Sequence, residues 1–180
     1  MTNSKYSFTS KRLGFRNWVE TDSDKMIAIS ANTNVMRFFP APATPQQTKD
    51  FIARMQDLFH EKKYCYFAVD LLETGEFIGF VGLNDFNYKA SFSPGTDIGW
   101  RLAEIHWGNG YATEGARRCL EYAFQDLKLG NIVATAPLIN KPSISVMKKI
   151  GMDFKTNFKH PRLKEFARIE NCVCYEIKKN

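Results

Sequence analysis

The sequence has no long apolar run. Nothing in it approaches the ~18 consecutive apolar residues that a membrane-spanning helix requires. Its opening, Met1 to Ser10, is polar and lacks the apolar stretch of a secretory leader, so the protein is expected in the cytoplasm and away from membranes. Cysteine is scarce. The four residues, Cys65, Cys119, Cys172 and Cys174, all sit inside apolar patterns. Cys172-Val173-Cys174 would put two sulfurs on one face of a strand, which is not zinc-ligand spacing; buried reduced thiols are expected, and no metal. Repeats and low-complexity segments are absent, as is any block of roughly five or six like charges. The net charge of +6, from 25 Lys and Arg against 19 Asp and Glu, therefore points no more to a nucleic-acid partner than to a polyanionic cofactor.

What is present suits one domain spanning 1–180, with a folded core at about 9–179. Hydrophobic residues make up 44%, and 15 phenylalanines promise an aromatic core. "RLGFR" (Arg12 to Arg16) alternates as a first strand. Asp22 or Ser23 can cap a short helix carrying Met26, Ile27 and Ile29. "FFPAPATPQQ" must be a loop, because its prolines forbid helix and sheet. Thr44 with Gln47 has capping-box spacing, Pro45 suits the first helical position, and Phe51, Ile52, Met55, Leu58 and Phe59 recur at helical spacing. "YCYFAVDLL", "FIGFVGL" and "TDIGWRL" read as strands. Thr113 to Leu129 reads as a helix with Ala116, Cys119, Leu120, Ala123, Phe124 and Leu127 on one stripe, stopped by Gly130. "NIVATAPL" is a strand. Asn140 then caps a helix with Lys148 and Lys149 in its last turn and Gly151 at its end. "ENCVCYEIKK" closes the chain as a strand. The order β-α-α-β-β-β-α-β-α-β-β implies an α+β fold with a mixed, mostly antiparallel sheet flanked by helices.

The stretch "HWGNGYATEGARR" (His106 to Arg118) stands between strand "TDIGWRL" and the strongest helix. A strand, a glycine-rich loop and a helix start together form an anion cradle. The first amides of a helix lack internal partners, the dipole adds positive charge, and glycine lets a phosphate approach the backbone. No Lys follows as a mononucleotide loop requires, and a dinucleotide fingerprint does not fit.

"WGNGYATEGAR" resembles the acetyl-CoA loop of the GNAT superfamily of N-acyltransferases. It is most similar to the branch that includes ribosomal-protein N-terminal-alanine acetyltransferases. "NKPSISVMKKIGM" is similar to that family's second motif, and the likeness runs from "RLGFR" to "VCYEI". The resemblance implies two strands splayed apart with acetyl-CoA in the gap. It assigns the pantetheine arm to the backbone around Leu102. The loop Trp107, Gly108, Asn109, Gly110, Tyr111, Ala112 and Thr113 would take the cofactor, with amides from Gly108 to Thr113 on the pyrophosphate. It also assigns a cofactor contact to Asn140 and a place near the sulfur to Ser143.

Acetyl transfer to an amine needs a base for the amine and a donor for the departing thiolate. The Tyr that family members often use as acid aligns with Met147, which cannot donate, so Ser143 is the candidate donor. Asp97 is the candidate base, on the strand leading to the cofactor; Asp85, Glu104, His106 and His160 are alternatives. Lys155 stands where related sequences often have Glu, so no role passes to that position. Phe38, Phe39, Phe86, Tyr88 and Phe92 are candidates for lining an acceptor pocket. The expected reaction is direct transfer in a ternary complex to a primary amine, a small molecule or a protein N-terminus. A non-catalytic acyl-CoA sensor and an RNA- or ribosome-binding protein are the alternatives, and a homodimeric state stays open.

Overall fold

The computed structural model describes residues 5–179. Its eight strands form one sheet in the order β1-β2-β3-β4-β5-β6-β8-β7. These are β1 (Phe8–Thr9), β2 (Leu13–Arg16), β3 (Tyr66–Leu71), β4 (Phe77–Phe86), β5 (Gly95–Leu102), β6 (Asn131–Pro137), β7 (Asp153–Lys159) and β8 (Asn171–Lys178). Every neighbouring pair is antiparallel except β5 with β6. The expected α+β mixed sheet is therefore present. The added strand β1 is two residues long, too short to leave a periodic signal in the sequence.

Helix α2 (Pro45–Lys62) begins as its sequence dictates. Thr44 Oγ1 accepts from the Gln47 amide at 3.2 Å, and Gln47 Oε1 accepts from the Thr44 amide at 2.8 Å. Helix α1 (Asp22–Ala31) departs from expectation, because neither Asp22 nor Ser23 caps it and Thr21 stands at the cap position. The Asp22 carboxylate turns inward to Arg16, at 2.6 and 2.8 Å. Arg16 also grips Asp70 on β3 at 2.8 and 2.9 Å. A buried guanidinium demands carboxylates more strongly than a helix end demands a cap, which water can supply.

Helix α3 (Tyr111–Glu121) starts at Tyr111 rather than Thr113, with Gly110 at its cap. Its stripe is buried at Ala116, Cys119, Leu120 and Ala123. The end also differs: the helix widens into a π turn over Tyr122–Asp126, and Lys128, not Gly130, takes the left-handed conformation (φ 59°). The wider turn uses up the chain sooner, so the reversal falls two residues before the glycine. Helix α4 (Lys141–Lys149) ends with Gly151 left-handed (φ 84°), as its sequence implies.

Opposed residues of antiparallel strands share a face. Tyr66 on β3 lies opposite Gly82 on β4, which lies opposite Gly99 on β5; Phe80 opposes Arg101 and Asn84 opposes Asp97. On this face Phe51 of α2 packs against Tyr66 and Phe80. On the other face, Gly115 of α3 comes so close that a β-carbon would lie 3.2 Å from Val81. The core is aromatic, with Phe8 stacked at 4.7 Å on Phe15 and 4.4 Å on Tyr122. All four cysteines are free and buried.

Candidate active site

Strand β5 pairs with β4 along its whole length but with β6 only at Asp97 and Val133. From there the two parallel strands part, and the β6-facing edge of β5 carries backbone groups that no strand takes. Gly79 (φ 129°) sits so near β5 that a β-carbon would lie 2.2 Å from the Arg101 carbonyl oxygen. Only glycine lets β4 hold the end of β5 this tightly. Both strand-to-helix turns, β5 to α3 and β6 to α4, open at the carboxyl ends of the parted strands, where open α/β sheets commonly take their ligands.

At the first turn, Gly108 (φ 78°) and Gly110 (φ 79°) are left-handed. A β-carbon on Gly108 would meet nothing within 4 Å, so the loop borders open space. No side chain caps α3, and the amides of Tyr111, Ala112 and Thr113 form its bare first turn. The loop is held from behind. Trp107 Nε1 donates to the Leu102 carbonyl at 3.0 Å, and Asn109 Nδ2 donates to the carbonyls of His106 and Trp107, each at 3.2 Å. Arg12 lies over the Tyr111 ring at 4.5 Å, and its Nη2 donates to the Asn109 carbonyl at 3.0 Å. Arg12 Nε and Ser10 Oγ both donate to Glu114, each at 2.7 Å. Burial alone would raise the Glu114 proton affinity, but these bonds outweigh it and hold the carboxyl below its ordinary range. The one acid of the first turn is thus spent on Arg12, and the positive end of the dipole faces the crevice. Nothing in a motif announces Arg12; it reaches the loop only because β2 runs beside α3.

Asp97 sits where the strands part. Tyr66 donates to its Oδ1 at 2.6 Å. The Tyr66 ring reaches it across the two glycines opposite: a β-carbon on Gly99 would stand 3.0 Å from the ring and its hydroxyl. Burial, with a smaller push from Asp85, raises the Asp97 carboxyl to about 7 against the pull of Tyr66. The alternative bases are otherwise engaged. Asp85 pairs with Lys62, accepts from Tyr64 and Thr96 at 2.8 and 3.0 Å, and is held below its ordinary range despite burial. Glu104 accepts from Asn32 and Asn34 at 3.1 and 2.9 Å. His106 faces Glu76 at 3.2 Å. His160 Nδ1 accepts from the Arg162 amide, and burial lowers its proton affinity.

At the second turn, Asn140 Oδ1 caps α4 by accepting from the Ser143 amide at 3.2 Å. Ser143 lies half-buried in that first turn, beside the crevice. Met147 is 1% exposed and belongs to the core. The five aromatic candidates do not form one pocket. Phe86, Tyr88 and Phe92 gather with Phe158 in a satellite cluster, Phe38 lies under Arg37, and Phe39 lies under Arg101. Tyr66, which bonds Asp97, and Arg101, on the same face of β5, are neighbours of the candidate base that sequence reasoning misses. The period-two pattern of "TDIGWRL" does put Arg101 on the face of Asp97, whereas no local signal marks Tyr66. Among the described residues no group of three His, Cys, Asp or Glu could hold a metal ion, and no helix is long and apolar enough to cross a membrane.

The family described as "Acetyltransferase (GNAT) domain" matches residues 12–153. The chain belongs to the GNAT acetyltransferases, a family of acyltransferases that use acetyl-CoA. Among curated relatives, the uncharacterized N-acetyltransferase YnaD of Bacillus subtilis is 33% identical over 152 residues, covering 84% of this chain and 85% of the relative. A GNAT-family acetyltransferase structure from Bacillus anthracis superposes with TM-score 0.75 at 26% identity, over 94% of this chain and 96% of that one. The fold is also that of the Vibrio cholerae spermidine N-acetyltransferase solved with CoA and spermine. That match has TM-score 0.73 at 20% identity and covers 93% and 95% of the two chains.

Proposed function

We propose that the chain moves the acetyl group of acetyl-CoA to a primary amine by direct attack, with Asp97 as the base. The observation that carries this reading is a carboxyl raised to about 7 at the parting of β5 and β6, on the strand that leads to an uncapped, glycine-flanked helix start. A base poised near neutrality takes a proton and releases it again with little penalty. Tyr66 occupies Oδ1 and leaves Oδ2 to receive the amine proton.

The crevice fits the cofactor on this chain's own features. The amides from Gly108 to Thr113 would hold the pyrophosphate, and the open space at Gly108 admits it. The unpaired edge of β5 near Leu102 would take the amides of the pantetheine arm as a strand takes a partner. Trp107 positions that edge through its bond to Leu102. Asn140 fixes the start of α4, which brings Ser143 to the crevice as hydrogen-bond donor for the departing sulfur. Bound acetyl-CoA supplies an acyl group on a good leaving group.

The buried Met147 favours one alternative, a sensor that binds acyl-CoA without turnover. Thermal unfolding with acetyl-CoA, and with ATP and NAD as controls, separates these readings when followed by thiol release over an amine panel. Ligand at ~100 times Kd adds ~2.7 kcal/mol, roughly 5–11 °C for a chain of this size. A shift specific to acetyl-CoA with thiol release upholds transfer. A shift without release from any amine leaves the sensor, and no shift removes the cofactor assignment.

A further inference from the structure

Arg101 is half-hidden on the same face of β5 as Asp97, four residues along, or ~13 Å at strand spacing. Its guanidinium lies between the rings of Phe39 at 4.5 Å and Phe80 at 5.4 Å. Its one side-chain hydrogen bond is a long one, Nη1 to Ser30 Oγ at 3.3 Å. Nε is buried with no partner, the sole such side-chain atom among the described residues. No carboxylate pairs with it there, whereas Arg16 meets two and Arg12 meets Glu114. The acids that flank it along the chain are committed elsewhere, Glu104 to Asn32 and Asn34 and Asp97 to Tyr66.

An unneutralised guanidinium in a desolvated place costs free energy, and its burial pulls Arg101 down to about 10. Such a group is kept for a partner that arrives. The two rings hold the planar fork flat, and a flat fork with a free donor suits a two-oxygen anion. Phe39 comes from the segment between α1 and α2, on the Asp97 side of the sheet, while α3, whose first turn would take the phosphates, packs against the other face at Val81. An anion at Arg101 would therefore arrive with the acceptor and not with the phosphates of the cofactor.

We propose that the acceptor is an aminocarboxylate and that Arg101 binds its carboxylate while the amine stands before Asp97. This rests on the transferase reading above and names the substrate class for the same site. It disfavours polyamines, whose positive charges Arg101 repels.

The test is steady-state thiol release with matched pairs, free amino acids and ω-amino acids against their carboxamides, with spermidine and benzylamine alongside. The wild-type protein should prefer the carboxylate of a pair by at least about tenfold in kcat/KM, the order expected when a buried polar group loses its partner. Arg101→Gln should erase that preference chiefly through KM. It should leave the acetyl-CoA thermal shift unchanged. Arg101→Lys, which keeps the charge between the rings, should retain part of the preference and decides the matter if the glutamine variant does not fold. Indifference of the wild-type protein to the carboxylate, or a preference for spermidine, overturns the proposal and leaves the transferase reading standing. So does a variant that weakens acetyl-CoA binding tenfold without changing acceptor choice, since Arg101 would then serve the cofactor. Acetyl-CoA binding with no turnover of any amine overturns the transferase reading, and this one with it.

Discussion

Replacing Asp97 by asparagine should make the protein more stable and much less active, with both effects depending on pH. A carboxyl that titrates near 7 in the folded chain and near 3.8 in the unfolded one binds its proton more tightly when folded. Between those values the folded state holds more protons. Wild-type stability therefore falls as pH rises through that window, and the loss is complete above about 7. The full difference is about 4 kcal/mol, from the two proton affinities at 1.36 kcal/mol per pH unit. In Asp97→Asn the new amide oxygen accepts the Tyr66 hydroxyl as the carboxylate does and carries no charge, so the variant escapes the loss.

The wild-type-to-variant gap should widen by about 3 kcal/mol between pH 5 and pH 8, or roughly 6–12 °C in Tm. Thermal melts at the two pH values, with and without acetyl-CoA, measure it. In parallel, kcat/KM should drop by about a hundredfold or more, and the rise of the wild-type rate near pH 7 should disappear. A stability gap that stays the same at pH 5 and pH 8 would refute the raised carboxyl. A rate profile that keeps its rise in the variant would refute Asp97 as the base, even with the stability argument intact.

Gly110→Ala tests the loop: its φ of 79° strains any side chain while the space around it is open, with Arg12 Nη2 nearest at 3.7 Å. Stability should fall by about 1–2 kcal/mol, and calorimetric affinity for acetyl-CoA should fall by about tenfold as the methyl enters the anion's approach. Asp70→Asn tests the buried network: Arg16 keeps Asp22 and loses one carboxylate, which should cost about 3 kcal/mol in urea unfolding. Arg16 and Lys5 together outweigh burial and hold Asp70 below its ordinary range, so its contribution is present at neutral pH and is lost on acidification. The Asp70→Asn deficit should accordingly shrink as the pH falls.

The parts of the site that need a special residue were legible in the sequence. Left-handed backbone before a helix calls for Gly108 and Gly110, and a capping side chain calls for Asn140. The strand character of "TDIGWRL" put Asp97 on β5 as well. Tyr66 escaped because its role exists only through register: it meets Asp97 after β3, β4 and β5 align Tyr66, Gly82 and Gly99 in a row. Tertiary demands also overrode local rules at two helix ends. Asp22 looks like a cap and serves Arg16, and Gly130 looks like a stop but follows a π turn that has already ended the helix. The scattered loop aromatics read as one pocket because a loop's sequence does not tell which neighbour each ring will find.

The distance between Asp97 and Arg101 is itself part of the chemistry. Both are partly buried on one strand face, and burial raises the carboxyl and lowers the guanidinium with no full opposite charge at either to reverse it. Were they in contact, they would pair. Asp97 would drop into the ordinary carboxylate range and make a poor base, and Arg101 would have no valence left for an arriving anion. Four residues of strand keep them apart, and the ring that bridges the gap is neutral. Tyr66 donates to Asp97 at one end and stacks at 4.9 Å on Phe80, the ring beneath Arg101, at the other. Gly99 leaves room for the flat ring, and Gly82 lets the backbone of β3 lie close beside it. A β-carbon at Gly82 would collide with the Cys65 carbonyl oxygen, and one at Gly99 would displace the ring itself. The glycines of β4 and β5 thus stand between the proposed base and the proposed anion site on a single strand, and an acceptor carrying both an amine and a carboxylate is what would bring the two ends of that face into one reaction.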